Sequence, residues 1–490
     1  MNRVLYIQLD SADPRLIGEW AKQGLLPHLN RLLEQGSSIE LDAPRGFGAD
    51  AMLPSVYTGA DPSEHGRYYH SQETLGDVGP DAASNLDVEC EPVWSALQRQ
   101  GKRTVVLDLP KATVSAGFNG VHIANWKTHT SVMRDFKTVP PALAERIAEE
   151  YGPHTECPCY AHRYDKFDRS AEHAWLTEMY QRLDAQKGMA KYYAQQPDWD
   201  VLMIGFCVSH CVGHQFWHLH DSAHPLHPGG RLAEQDPVRL IYQRLDTAVG
   251  ELLELVDDNT RVMLFAGPGF GSSYLRWDLL DDILLNLSNG TRPADKRILE
   301  TLKRIWHRLP DPVRRVCSGL AHKAEHSLAD IGRDKRPYYP ARLNDAVGGV
   351  IINKERFSDE KEHRRVVDFL IAELAKVINL DTQTPIVRDI FATQDEYHGA
   401  HLERMPDIMI VWDNDTPVSR VGSTAIGELV QAKLPDWSGT HRPYSLATFC
   451  SFTEKIELKS TSGSILDVAP TLADYAGASI PTSQGRSVLA

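Results

Sequence analysis

Apolar residues along this chain fall into two alternating patterns. Short unbroken runs recur at Val4–Leu9, Thr104–Leu109, from Asp200 to Phe206, Arg261–Ala266, Gly348–Asn353 and Asp407–Trp412. Runs of that length read as buried strands. Between them lie stretches with helical spacing: Leu16–Leu33 (broken by Gly24 and Pro27), Val93–Gln100, Trp175–Ala194, Leu240–Leu255, Lys361–Ile378, and a tail from Ile465 that closes at Gly477. This alternation predicts an α/β fold with a mainly parallel central sheet flanked by helices.

The pattern weakens in two places. Residues 111–197 read as a cap inserted between core strands, and 277–342 as a helical insert, basic in patches. The organisation predicted is core at 1–110, cap at 111–197, core at 198–276, helical insert at 277–342 and core at 343–490. Leu41 to Gly66, rich in Gly and Pro, reads as a loop packed tightly around something.

The stretch from Asp200 to Trp217 carries the most chemistry. It reads as a central strand running into a helix, with His210 and His214 just beyond the strand end. Ligands gather at the carboxyl ends of strands in such sheets. Histidines four apart share one helix face, which is the spacing that a single metal ion needs. Asp10, at the end of the first strand, is a second candidate ligand; a helix cap is its plainer reading. His218, His220, His224 and His227 follow, so a histidine-rich exposed helix is the plain alternative for His210 and His214.

The chain has 490 residues, 42% hydrophobic and 24% charged, which predicts a packed fold of more than one lobe or with inserts. A net charge of −14 argues against a general nucleic-acid surface. An anionic substrate therefore needs a local cation. No stretch approaches the roughly 18 apolar residues of a membrane span. The first residues read as a strand and not as a signal peptide. With seven cysteines, an odd number, the expectation is a reduced, cytoplasmic protein. The sequence leaves the oligomeric state open.

Nine pieces in register resemble the alkaline phosphatase superfamily, and most of all its type I phosphodiesterase/nucleotide pyrophosphatase branch. They are Ile7-Gln-Leu-Asp10, Leu26-Pro-His-Leu29, Tyr57-Thr-Gly-Ala-Asp-Pro-Ser-Glu-His-Gly66, Val93-Trp94 with Gly101-Lys102, Asp200–Trp217, Leu245-Asp246, Pro406-Asp407, Gly439-Thr-His441 and Asp467-Val-Ala-Pro-Thr471. The resemblance implies two metal ions, usually zinc, and a Thr or Ser nucleophile. Carried over by position, Asp10 fits the first-strand ligand, His214 the histidine of an Asp-x-x-x-His unit, and His441 the late histidine. His210 stands where the aspartate of that unit is expected, and a further Asp-His ligand pair falls on Gly267-Pro268. The nucleophile position falls near Asp50, and no Ser, Thr or Cys lies between Ser38 and Ser55.

What remains is a possible set of His210, His214 and His441, which suits one divalent ion: zinc first, iron or manganese as alternatives. Asp50 has three readings: a carboxylate nucleophile, a general base or metal ligand beside Asp10, or a loop residue capping a helix. Arg45 on the same loop is the nearest candidate for clamping an anion. His398 and His401, in Tyr397-His-Gly-Ala-His401, match a family loop near the substrate side. Cys157-Pro-Cys159 with His154 and His162 resembles a metal cluster, but the spacing is poor and packing or substrate contact is the reading preferred. Function thus narrows to a metal-dependent hydrolase or transferase acting on a small phosphoester or related anion. The alternatives are a silent member that binds a phosphorylated ligand or protein, and a conventional two-metal phosphodiesterase.

Overall fold

Val4–Asp10 (β1) is buried at all seven positions, because sheet neighbours flank it and helices cover both faces. The computed structural model describes residues 3–69, 72, 88–128, 136–155, 157, 169–228, 236–276, 279–288, 336–343, 346–431 and 435–490. Among them nine strands share the sheet that contains β1. In order they are Ser462–Ser464, Ser37–Asp42 (β2), Tyr444–Cys450, Arg261–Gly267 (β7), β1, Val201–Phe206 (β6), Thr104–Leu107 (β3), Val121–Ala124 (β4) and Lys137–Val139 (β5). The run from β7 through β1, β6 and β3 to β4 is parallel, as the alternation of strands and helices requires. Asp10, Leu107, Phe206 and Gly267 therefore end their strands on the same edge.

The pleat of β1 separates two cores. Leu5, Ile7 and Leu9 join a cluster with residues of the helices Pro14–Lys22, Arg169–Ala194, Val208–His220 and Pro237–Leu253. Val4 and Tyr6 join another, with Met52, Val56 and Tyr57 of the helix Ala49–Thr58 and with the helices Val93–Arg99 and Val468–Tyr475. Several of the resembling motifs are joints between these elements. Asp246 Oδ accepts a 2.7 Å bond from the Leu29 amide, tying two helices together.

Two units divide the chain. The first comprises Met1–His65, Leu86–Ser272 and Trp437–Ala490, the second Gly66–Asn85 and Ser273–Asp436. Residues 111–197 give the first unit β4, β5 and the long helix Arg169–Ala194. In the second unit, Val347–Ile352 and Ile408–Trp412 are strands, but they pair antiparallel in a sheet of their own with Val387–Ala392 and Tyr338–Pro340. The insert expected at 277–342 shows the helix Leu279–Leu287; residues 289–335 lie outside the described residues.

The expected loop Leu41–Gly66 is corrected in part: the end of β2 and the helices Ala49–Thr58 and Pro62–His65 lie within it. Nine of the ten residues of Ala49–Thr58 are buried, and that burial outweighs Pro54 in the interior. Gly59 ends the helix in a left-handed conformation, φ 68°. The fully reduced chain is also corrected, since Cys157 is disulfide-bonded. Cys90, Cys207, Cys211 and Cys450 are not disulfide-bonded. Among the described residues no helix is long and apolar enough to cross a membrane.

Candidate metal centre

β6 stops at Phe206, and after Cys207 the chain enters the helix Val208–His220. One turn separates His210 from His214, so both rings leave the same helix face. His441 arrives from far along the chain, on a short strand, Gly439–Arg442, paired antiparallel with Gly269–Ser272 so that it lies opposite Phe270. The three rings form a near-equilateral triangle: centroids are 4.7 Å apart for His210–His214 and 4.9 Å for each of the other pairs. All three are buried, and their ligand nitrogens lie within 4.8 Å of one another. Among the described residues, no other group of three His, Cys, Asp or Glu gathers this closely. The helix is not an exposed histidine-rich face, because Val208 to His218 are all buried.

The surroundings fix which nitrogen His210 and His214 present. His210 Nδ1 donates to Asp10 Oδ2 at 3.0 Å, and His214 Nδ1 donates to the Gly439 carbonyl at 2.8 Å. Each bond assigns metal binding to Nε2, the arrangement in which an outer partner orients a histidine ligand. Burial, with His210 beside it, pushes the His214 pKa well below the usual imidazole range, so the ring is neutral and keeps its lone pair. Phe270 packs edge-on, 5.0 Å from the centroids of both His214 and His441, and Trp437 lies 5.2 Å from His214. Gly213 makes this possible: a Cβ there would come within 2.7 Å of the Phe270 ring. Three buried imidazoles, two of them oriented through Nδ1, fit one divalent ion and leave a coordination position for a ligand.

Asp10 is 2% exposed at the end of β1. Its carboxylate engages His210 and accepts from Ser11 Oγ at 3.2 Å, and its carbonyl accepts from Ser209 Oγ at 2.6 Å. The helix cap that was its plainer reading falls to Asp13, whose Oδ1 accepts from the amides of Arg15 and Leu16. Asp50 sits in the first turn of the helix Ala49–Thr58 and forms an ion pair with Lys111. The first hydroxyl along that helix, Ser55 Oγ, is bonded to His65 Nε2 at 2.9 Å in a fully buried pair.

At the other expected ligand pair, Gly267 has φ 147°, and a Cβ there would overlap Ser445 Oγ. A Cβ on Gly269 would overlap the Tyr444 ring. The space for a second set of ligands on β7 is filled by protein. Among the described residues the structure thus holds one site for one ion.

Arg45 is exposed. His398 and His401 belong to the second unit, where His398 is exposed and the His401 ring packs against Gly66. His154 Nδ1 meets the Trp126 carbonyl at 2.9 Å, and Cys159 and His162 lie outside the described residues. Cys157 Sγ lies 3.4 Å from Cys211 Sγ on the histidine helix. Sequence reasoning missed Lys111, Phe270 and Trp437. Lys111 was findable by the rule that led to His210, since it follows the end of β3; the two aromatic residues carry no local signal.

This is the chemistry of a phosphoryl-processing metalloenzyme on an α/β sheet. The profile of the type I phosphodiesterase/nucleotide pyrophosphatase family matches residues 4–421, and the chain belongs to that family, with a three-histidine site and no Ser or Thr at the nucleophile position. No curated protein matches it in sequence. Among solved structures, phosphonoacetate hydrolase from Sinorhizobium meliloti 1021 in complex with phosphonoformate aligns with a TM-score of 0.54 at 13% identity, covering 97% of this chain and 95% of the other. The same enzyme with phosphonoacetate aligns with a TM-score of 0.52, at the same identity and coverage. At that identity the likeness is one of fold.

Proposed function

We propose that this protein is a mononuclear zinc hydrolase acting on a small phosphoester or related anion, phosphonates included. The observation that carries the reading is the buried triad of His210, His214 and His441. A bound divalent ion supplies Lewis acidity toward a phosphoryl or related oxygen. The chain does the rest. Asp10 and the Gly439 carbonyl hold two of the rings, while Phe270 and Trp437 border them with apolar surface. Asp10 is then an orienting partner rather than a ligand. With no hydroxyl available at the nucleophile position, no phosphoryl group is parked on Ser or Thr. Asp50, the carboxylate that stands there, takes a proton from the attacking water as general base. Arg45, His398 and His401 have no support as substrate contacts beyond their place in the sequence.

The test is metal content per chain by elemental analysis, for wild type, His214→Ala and His441→Ala. About one ion, lost in both variants, is expected. Two ions bound by the wild type would restore a conventional phosphodiesterase. The missing hydroxyl also favours a second reading, a silent member that binds a phosphorylated ligand. That reading gains if the protein holds its metal yet hydrolyses no phosphodiester, phosphomonoester or phosphonate offered.

A further inference from the structure

The centre holds a carboxylate, Asp10, in a chain of net charge −14, yet its proposed substrate is an anion. Asp10 touches His210, and Asp50 stands at the first turn of the helix that packs beside β1. One metal ion alone would have to offset Asp10 as well as the substrate. The geometry brings in a second cation, Lys111.

Its placement is built by several elements. After β3 the chain bends across β6 through Asp108, Leu109 and Pro110. Gly205 permits that crossing, because a Cβ there would come within 2.7 Å of Pro110 Cδ and 2.8 Å of the Asp108 carbonyl. Asp108 (φ 49°) and Lys111 (φ 57°) both adopt the left-handed region, which non-glycine residues seldom occupy outside sites that need it. Tyr57 pins the bend: its hydroxyl lies 2.8 Å from the Pro110 carbonyl and 3.2 Å from Gln8 Oε1, two residues before Asp10 on the same face of β1. The Lys111 ammonium then meets Asp50, with side chains only 16% and 12% exposed. A largely buried ion pair is a weak route to stability. Burial lowers the Lys111 pKa to about 8, and Asp10 pulls it back up. The lysine thus follows a strand that ends on the same edge of the sheet as Asp10 and the strand leading into the histidine helix.

We propose that Lys111 is an anion-binding residue of the metal centre: its ammonium, braced by Asp50, supplies the second positive charge beside the three-histidine ion and receives an oxygen of the substrate. An ammonium has three donors, so bonding Asp50 does not exhaust it. The proposal rests on the hydrolase reading but is tested separately from it, with inorganic phosphate as the probe.

Phosphate affinity is measured by calorimetry on wild type, Lys111→Met, Lys111→Gln and Lys111→Arg, each with and without zinc, alongside zinc content. A charge-assisted hydrogen bond is worth enough that Lys111→Met and Lys111→Gln are expected to lose about tenfold or more in phosphate affinity. Zinc content stays at the wild-type level, and Lys111→Arg keeps most of the affinity. Having both neutral variants guards against one that fails to fold. Phosphate affinity within about twofold of wild type in a folded neutral variant overturns the proposal. So does an equal loss in all three variants, which would mark a packing role, and so does a wild type that binds no phosphate. A wild type that takes up no zinc sinks the metal-centre reading instead; the comparison without zinc then still decides the role of Lys111.

Discussion

Asp10 shows how one residue changes meaning once its neighbours are known. From the sequence it is a ligand or a cap. In the fold Asp13 is the cap, and the Asp10 carboxylate faces His210 Nδ1. A carboxylate in that position raises the basicity of the ring and fixes its tautomer, and losing such a partner typically costs 10–100-fold in metal affinity. Asp10→Asn is therefore expected to weaken zinc binding by roughly that factor without changing its stoichiometry. Competition with a chromophoric chelator measures it. Loss of the whole site in this variant would instead make Asp10 a ligand.

At the scale of elements, the centre is an edge effect of the sheet. β6 feeds the helix that carries two histidines, β1 ends in the carboxylate that holds one of them, and the short strand Gly439–Arg442 brings the third. β7 ends in Gly267, which contributes no side chain and whose neighbour Ser445 fills the space where one would begin. Restoring a ligand there is expected to fail. Gly267→Asp places a Cβ at φ 147° and against Ser445, combining backbone strain with overpacking, each on the order of 1–3 kcal/mol. Denaturant unfolding of Gly267→Asp reads that loss, and elemental analysis is expected to find no second ion. A stable variant that gains one would show the second site to be dormant rather than filled.

For the molecule as a whole, acid stability has an identifiable contributor away from the centre. His122 on β4 is fully buried, with Trp94 and Phe118 each 5.5 Å away edge-on, and burial lowers its pKa to about 3. An unfolded histidine titrates near 6.5, so below that pH the unfolded state binds a proton that the fold excludes. Stability from this group is present above pH 6.5 and is lost progressively as the pH falls toward 3. Between pH 7 and 5 the loss is about 2 kcal/mol. A His122→Leu variant is expected to lose that much less than wild type over the same interval, measured by denaturant unfolding. Equal slopes for the two proteins would remove His122 from the account.

The sequence by itself determined the fold class and the likeliest chemistry. Apolar runs such as Val4–Leu9 and Val201–Phe206 are short enough to read as strands buried on both faces, and the four-residue spacing of His210 and His214 holds wherever the helix goes. Both are local properties, written in side-chain period. His441 was legible too, but only through its resemblance to a motif, since nothing local joins it to a helix more than two hundred residues earlier. Tertiary structure alone decided the rest. The helix Ala49–Thr58 forms against the sheet despite Pro54, because burial outweighs its local propensities. The strands Val347–Ile352 and Ile408–Trp412 went to a separate antiparallel sheet, because an apolar run does not specify its partner. Lys111 reaches Asp50 because Gly205 lets one strand end cross another, and Asp10 turns to His210 because Asp13 takes the cap. Such outcomes depend on which strand ends meet at one edge, and that is a property of the whole chain.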